Sequence, residues 1–157
     1  MGKVLIVYYS RSGGTKDACA KLKAEHDQFG VIDMIELKDE KPYNAITALI
    51  AAMTKKAGKI QPLDIDMTQY DVVVLGTPIW GGGLTPAMKT FITSTNLNGK
   101  KIIGILSSSK KEPEYPDVLR TAVNNRVDMA FISGLTRLRV IEYIVIGRVC
   151  TDEPAVK

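Results

Sequence analysis

Lys3-Val4-Leu5-Ile6-Val7-Tyr8-Tyr9, running directly into Ser10-Arg11-Ser12-Gly13-Gly14-Thr15, is the stretch on which the fold turns. Residues 3–9 are apolar without alternation and rich in β-branched and aromatic side chains. Such a run suits a strand buried on both faces, as in a parallel sheet. Residues 10–15 then bring three hydroxyls and two glycines to the start of a helical pattern. Glycines let the backbone turn tightly with its N–H groups inward, and a helix N-terminus favours an anion. Ser10, Ser12 and Thr15 can donate to phosphate oxygens. On these residues alone, a plain strand–turn–helix connection with Ser12 or Thr15 as N-cap competes with a phosphate loop. The spacing is neither GxxxxGK[ST] nor GxGxxG.

Four further strand candidates lie downstream: Val31 to Glu36, Tyr70 to Gly76, Lys101 to Ser107 and Leu138 to Ile146. Between them lie helical patterns over Gly14 to Gln28, Asn44 to Ala57, Leu84 to Thr95 and Pro116 to about Phe131. Asn44 suits an N-cap, Gly58 a stop, and Pro86 a first turn. Strands alternating with helices predict an α/β domain built on a parallel sheet, spanning residues 1–157 as one unit. In such sheets ligands sit beyond the carboxyl ends of the strands, where strand order reverses.

The loops expected at that edge narrow the chemistry. Gly76-Thr77-Pro78-Ile79-Trp80-Gly81-Gly82-Gly83 sets the sole tryptophan between a proline turn and three glycines. An indole at a loop tip wants a partner; it either stacks on a flat aromatic ligand or folds back onto the core. Ser107-Ser108-Ser109-Lys110-Lys111-Glu112-Pro113 is polar and basic, and serves equally as a ligand wall or a surface loop.

Composition removes several classes. No apolar run reaches the roughly 18 residues of a membrane helix, and Met1-Gly2-Lys3 leads straight into a strand, so a cytoplasmic protein without a signal peptide is expected. Cys19 and Cys150, the only cysteines, form neither a metal cluster nor a disulfide framework. The single histidine, His26, falls on a polar helix face, against a histidine-dependent hydrolase. No cysteine opens the first loop as in a phosphatase, and no paired acids come after the first strand as in a phospho-receiver. Lys and Arg total 21 against 17 Asp and Glu, a net charge of +4 carried in short clusters, without nucleic-acid motifs.

KVLIVYYSRSGGT (3–15) resembles the first strand and phosphate loop of the flavodoxin-like family, usually [ST]-x-T-G-x-T. YDVVVLGTPIWGGGLTPAMKTFI (70–92) resembles its third strand, flavin loop and following helix. The resemblance covers roughly Met1 to Ile146, and both loops in this order are specific. It implies an open, doubly wound, five-stranded parallel sheet of order 2-1-3-4-5 that binds FMN between strands one and three. Carried over by position, Ser10, Arg11, Ser12, Gly13, Gly14 and Thr15 would hold the phosphate. Thr77, Pro78, Ile79, Trp80, Gly81 and Gly82 would flank the flavin ring, with Ser107, Ser108 and Ser109 on its other side. The sequence departs from the family at Gly14, often Asn, and at Ser12, often Thr. Its third loop lacks the family's glycines, and its positive charge differs from that of acidic electron-carrying flavodoxins.

The resemblance implies either electron transfer or NAD(P)H-dependent reduction of a small acceptor such as a quinone or a flavin. The positive charge leans toward the reductase. A flavin-free binding or assembly module on the same fold is the alternative. The residues from Arg148 to Lys157, interrupted by Pro154, predict a turn in place of a full fifth helix. That would leave an apolar sheet face over Leu138 to Ile146, expected to pair with a second subunit as a homodimer.

Overall fold

The computed structural model describes residues 3–27, 30–54, 56–108, 114–123, 129–136 and 139–146, the last two stretches by their backbone alone. Strand β1 (Lys3–Tyr8) lies between β2 (Ile32–Glu36) and β3 (Tyr70–Trp80), both parallel to it. Beyond a short β4 (Gly83–Leu84) that pairs only with β3, the chain continues into β5 (Lys101–Ser108), parallel to β3. The order β2-β1-β3-β5 is the expected 2-1-3-4 arrangement once β4 is set aside. Its reversal point falls between β1 and β3.

Burial of β1 on both faces is a consequence of its composition. Leu5, Val7 and Tyr9 join Val73, Leu75, Met88 and Phe91 in one core cluster. Ile6 and Tyr8 point the other way and join Ala18, Cys19, Val74 and Ile105. Helix α1 (Gly14–His26) covers the second face; α3 (Pro86–Ser94) and α4 (Tyr115–Ala122) cover the first. The sheet is thus doubly wound. Gly76 permits the close seat of α1, because a Cβ there would come 2.5 Å from Cys19 Sγ.

Thr85 caps α3 by accepting from the Met88 N–H, and Pro86 enters its first turn as expected. Asn44 caps α2 (Ala45–Thr54): its Oδ1 accepts from the Thr47 N–H at 2.8 Å, while Thr47 Oγ1 accepts from the Asn44 N–H at 2.9 Å. Helix α2 differs from an ordinary amphipathic helix. Only Ala48 is buried, while Ile46, Leu49, Ile50 and Met53 are 54–74% exposed. The small face is what docks. Ala52 lies so close to Gly81 that a Cβ on that glycine would sit 3.2 Å from the Ala52 carbonyl oxygen.

The sequence expectation fails beyond α4. That helix ends at Ala122, well short of Phe131, and Met129–Thr136 forms a strand, β6. The strand expected at 138–146 exists as β7 (Arg139–Ile146), but it runs antiparallel to both β5 and β6 and lies between them. The physical reason is the connection. A parallel neighbour needs a crossover of a dozen or more residues; α4 delivers β6 parallel to β5, and the short link to β7 allows only a return in the opposite sense. The side chains of the face expected to dimerise, and the segment expected to replace a fifth helix, lie outside the described residues. Among the described residues no helix is long and apolar enough to cross a membrane.

Candidate functional site

At the carboxyl edge of the sheet, the chain leaves β1 through a tight turn. The Gly13 N–H donates to Ser10 Oγ at 3.1 Å, and Gly13 adopts φ 92, a left-handed conformation that favours glycine. Helix α1 starts at the next residue, with Gly13 as its N-cap and no side-chain cap hydrogen bond. The N-cap expectation for Ser12 or Thr15 is therefore not met. The first-turn N–H groups keep their polarity available to an anion.

Thr15 is buried, and its Oγ1 lies 2.7 Å from Ser107 Oγ at the end of β5. This contact ties the first loop to the third. Arg11 and Ser12 are at the loop tip, Arg11 and Ser12 among its more solvent-facing residues.

The expected loop after β3 proves to be a hairpin. Strand β3 extends to Trp80, and Gly81 and Gly82, with φ 55 and 76, turn it back so that Trp80 pairs with Gly83. Two successive positive φ values are the mark of a type I′ turn. Trp80 therefore stands on a strand end, half-buried, instead of on a loop tip. It meets the Tyr9 ring edge-on at 5.5 Å and the Tyr43 ring edge-on at 6.0 Å.

Arg11, Ser12, Thr15, Pro78 and Trp80 line one cavity of about 420 Å³. The first two loops thus converge as expected. Thr77 does not reach the cavity; its hydroxyl donates to the Pro78 carbonyl at 3.0 Å and contacts Thr85 Oγ1 at 3.1 Å. Ile79 packs against the main core, and so does Trp80, which meets the core alternative for the indole while it still lines the cavity. Gly81 lies against Ala52, and Gly82 faces open space. Ser107 contributes through Thr15, Ser108 ends β5, and Ser109 lies outside the described residues. A cavity of about 510 Å³ between α3 and α4 lies at the opposite edge, and no charged side chain lines it. Ligands of open α/β sheets bind at the carboxyl edge, which favours the smaller cavity.

Three residues near Trp80 have no ligand role in the sequence reading: Tyr9, which ends the apolar run of the first motif, Asp39 and Tyr43. The Tyr9 hydroxyl donates to Asp39 Oδ2 at 2.7 Å. Asp39 is only 8% exposed, and its Oδ1 is buried without a hydrogen-bond partner. Burial raises the Asp39 carboxyl above its ordinary value, against the Tyr9 hydrogen bond, which lowers it. Burial also raises the Tyr9 and Tyr43 phenols. The available signal was positional, since the loop after β2 opens at the same edge as the loops after β1 and β3. Among the described residues no group of three or more His, Cys, Asp or Glu could hold a metal ion.

A family model for flavodoxin matches residues 3–115. No curated protein matches the chain. Among solved structures, a candidate flavoprotein from Bacteroides eggerthii is 25% identical over 77% of this chain and 80% of its own, with a TM-score of 0.66. A flavoprotein from Lactobacillus acidophilus NCFM in complex with FMN is 24% identical over 79% and 87%, with a TM-score of 0.69, and shares the fold. With the family match spanning most of the chain and the same α/β architecture in these structures, the protein belongs to the flavodoxin family.

Proposed function

We propose that the protein is an FMN-binding redox protein, with the phosphate at the N-terminus of α1 and the flavin ring against Trp80. The observation that carries this reading is the shared cavity, in which Ser12 and Thr15 of the glycine turn and Trp80 of the hairpin line one space. Its volume of about 420 Å³ falls in the ordinary range of ligand sites, roughly 300–1,000 Å³. The FMN complex of the Lactobacillus acidophilus relative supports the choice of ligand.

Each residue has a physical task. The uncapped first turn of α1 offers backbone N–H groups to the phosphate oxygens. Thr15 can accept from Ser107 and still donate its own hydroxyl proton into the cavity. Ser12 adds a second hydroxyl, and exposed Arg11 brings positive charge to the rim. Trp80 and Pro78 supply apolar surface for a flat ring. Bound FMN supplies the electron chemistry itself, so the chain needs no acid–base side chain there.

The net charge of +4 supports NAD(P)H-dependent reduction of a small acceptor over electron transfer to a basic partner, which an acidic face would steer. The test is the absorbance spectrum of the purified protein with added FMN, then with anaerobic NADH or NADPH. Flavin bands that bleach with NAD(P)H are expected. Bands that bleach with dithionite alone would reject the reductase and retain the electron carrier. Absence of any bound flavin would reject the FMN reading.

A further inference from the structure

Trp80 is held between two tyrosines from different segments, and one buried acid joins those segments. Tyr9 ends the run that begins in β1, and Tyr43 precedes α2. Both present their rings edge-on to the indole, at interplanar angles of 86° and 89°. Asp39, four residues before Tyr43, receives the Tyr9 hydroxyl.

The Asp39 backbone is itself anchored. It forms an isolated antiparallel bridge with Ile60. The Glu40 N–H donates to the Lys59 carbonyl at 2.9 Å, and the Gln61 N–H to the Lys38 carbonyl at 2.8 Å. Asp39 is therefore a fixed post, and Tyr9 is tethered to it.

The tether carries a cost. Asp39 Oδ1 is buried and unpartnered, and a buried acceptor without a donor is destabilising. A phenylalanine at position 9 with an apolar residue at 39 would fill this space without that cost. Local rules are broken in this way where a site needs a geometry that stability alone does not select. Binding constellations need side chains locked by supporting hydrogen bonds, and the Tyr9 and Tyr43 rings beside Trp80 are placed to set its angle.

We propose that the Tyr9–Asp39 hydrogen bond sets the orientation of the Trp80 indole, which makes Asp39 a positioning residue for the ring-facing wall of the site. The consequence for flavin affinity rests on the FMN reading; the geometric part does not.

Trp80 is the sole tryptophan, so its emission reports its own surroundings in flavin-free protein. Three full-chain variants decide the matter: Asp39→Ala, Tyr9→Phe and Asp39→Asn. The first two remove the hydrogen bond, whereas asparagine keeps an acceptor for the tyrosine. In flavin-free protein, Asp39→Ala and Tyr9→Phe should shift the Trp80 emission maximum and near-ultraviolet dichroism while far-ultraviolet dichroism stays unchanged. Asp39→Asn should restore both signals. With FMN added, the two disrupting variants should bind about tenfold more weakly, and Asp39→Asn within about twofold of the parent.

If Asp39→Ala does not fold, Tyr9→Phe, which keeps the ring, decides alone. Unchanged Trp80 emission in the folded disrupting variants would overturn the proposal, as would failure of asparagine to restore it. If the parent protein bound no FMN, the function proposed above would fall while the emission series still judged the positioning role.

Discussion

The turn after β1 and the turn after β3 are both glycine-rich, stand on neighbouring strands and use their glycines in opposite ways. In the first, Gly13 takes a left-handed conformation and releases the chain into α1 with no side-chain cap. Its backbone donors stay available. In the second, Gly81 and Gly82 close a hairpin that pairs Trp80 with Gly83. There the backbone is engaged with itself and a side chain faces the cavity. Similar composition therefore leaves uncapped backbone donors in one place and sets an aromatic side chain at the cavity in the other. The difference comes from the next element of the chain, a helix start after Gly13 and a returning strand after Gly82.

Removing hydroxyls tests the first turn at its strongest point. Ser12→Ala and Thr15→Ala should each weaken FMN binding by about 1.5–3 kcal/mol, the worth of a hydrogen bond to a charged group. Riboflavin binding should change much less, since riboflavin has no phosphate. Equal losses for both ligands in a fluorescence titration would remove the phosphate from this turn.

The glycines themselves separate the two turns. Gly13→Ala and Gly82→Ala each place a Cβ in a left-handed conformation with open space around it, at a cost of about 1–2 kcal/mol in stability. Urea midpoints should fall comparably in both. Only Gly13→Ala should reduce the preference for FMN over riboflavin. A similar reduction in Gly82→Ala would mean that the hairpin also shapes the phosphate site.

Acid dependence sharpens the second wall. Burial raises the Asp39 carboxyl. A raised carboxyl contributes stability that is fully present below its unfolded value and is lost as pH rises through its folded value. Tyr9 and Tyr43, both raised, remain protonated across that window. The stability of Asp39→Asn relative to the parent should therefore climb as pH rises above about 4. A difference that is flat with pH in urea titrations would contradict the burial of this acid.

The smallest effect belongs to Cys19, which is buried where α1 meets Gly76. Burial pushes its thiol up to about 12. In native protein at pH 8 it should resist a thiol reagent, with cleavage and mass mapping separating it from Cys150. Rapid labelling of Cys19 without denaturant would show that α1 opens there.

Legibility in the sequence depended on the range of the interactions involved. The β1 run and the helix starts at Asn44 and Pro86 were legible because strand burial and capping are written within a few residues. That Ser12, Thr15 and Trp80 line one cavity was legible because the two turns fall at one edge of a parallel sheet. The hairpin was missed because a run of glycines does not reveal whether the strand resumes beyond it. The direction of β7 was missed for a similar reason: strand-like residues carry no sign of their sense, which the connection from β6 decides. Tyr9 and Asp39 escaped because their hydrogen bond joins positions 30 residues apart, beyond any local pattern.

A paired titration of flavin-free protein with FMN and with riboflavin, read by quenching of the Trp80 emission, tests the joining of the two turns most directly. Both ligands should quench Trp80, since both carry the ring, and FMN should bind at least about 100-fold more tightly, because only it fills the turn at Ser12 and Thr15 with charge-assisted hydrogen bonds. Equal affinities, or FMN binding that leaves Trp80 unquenched, would contradict a single flavin site built from both turns.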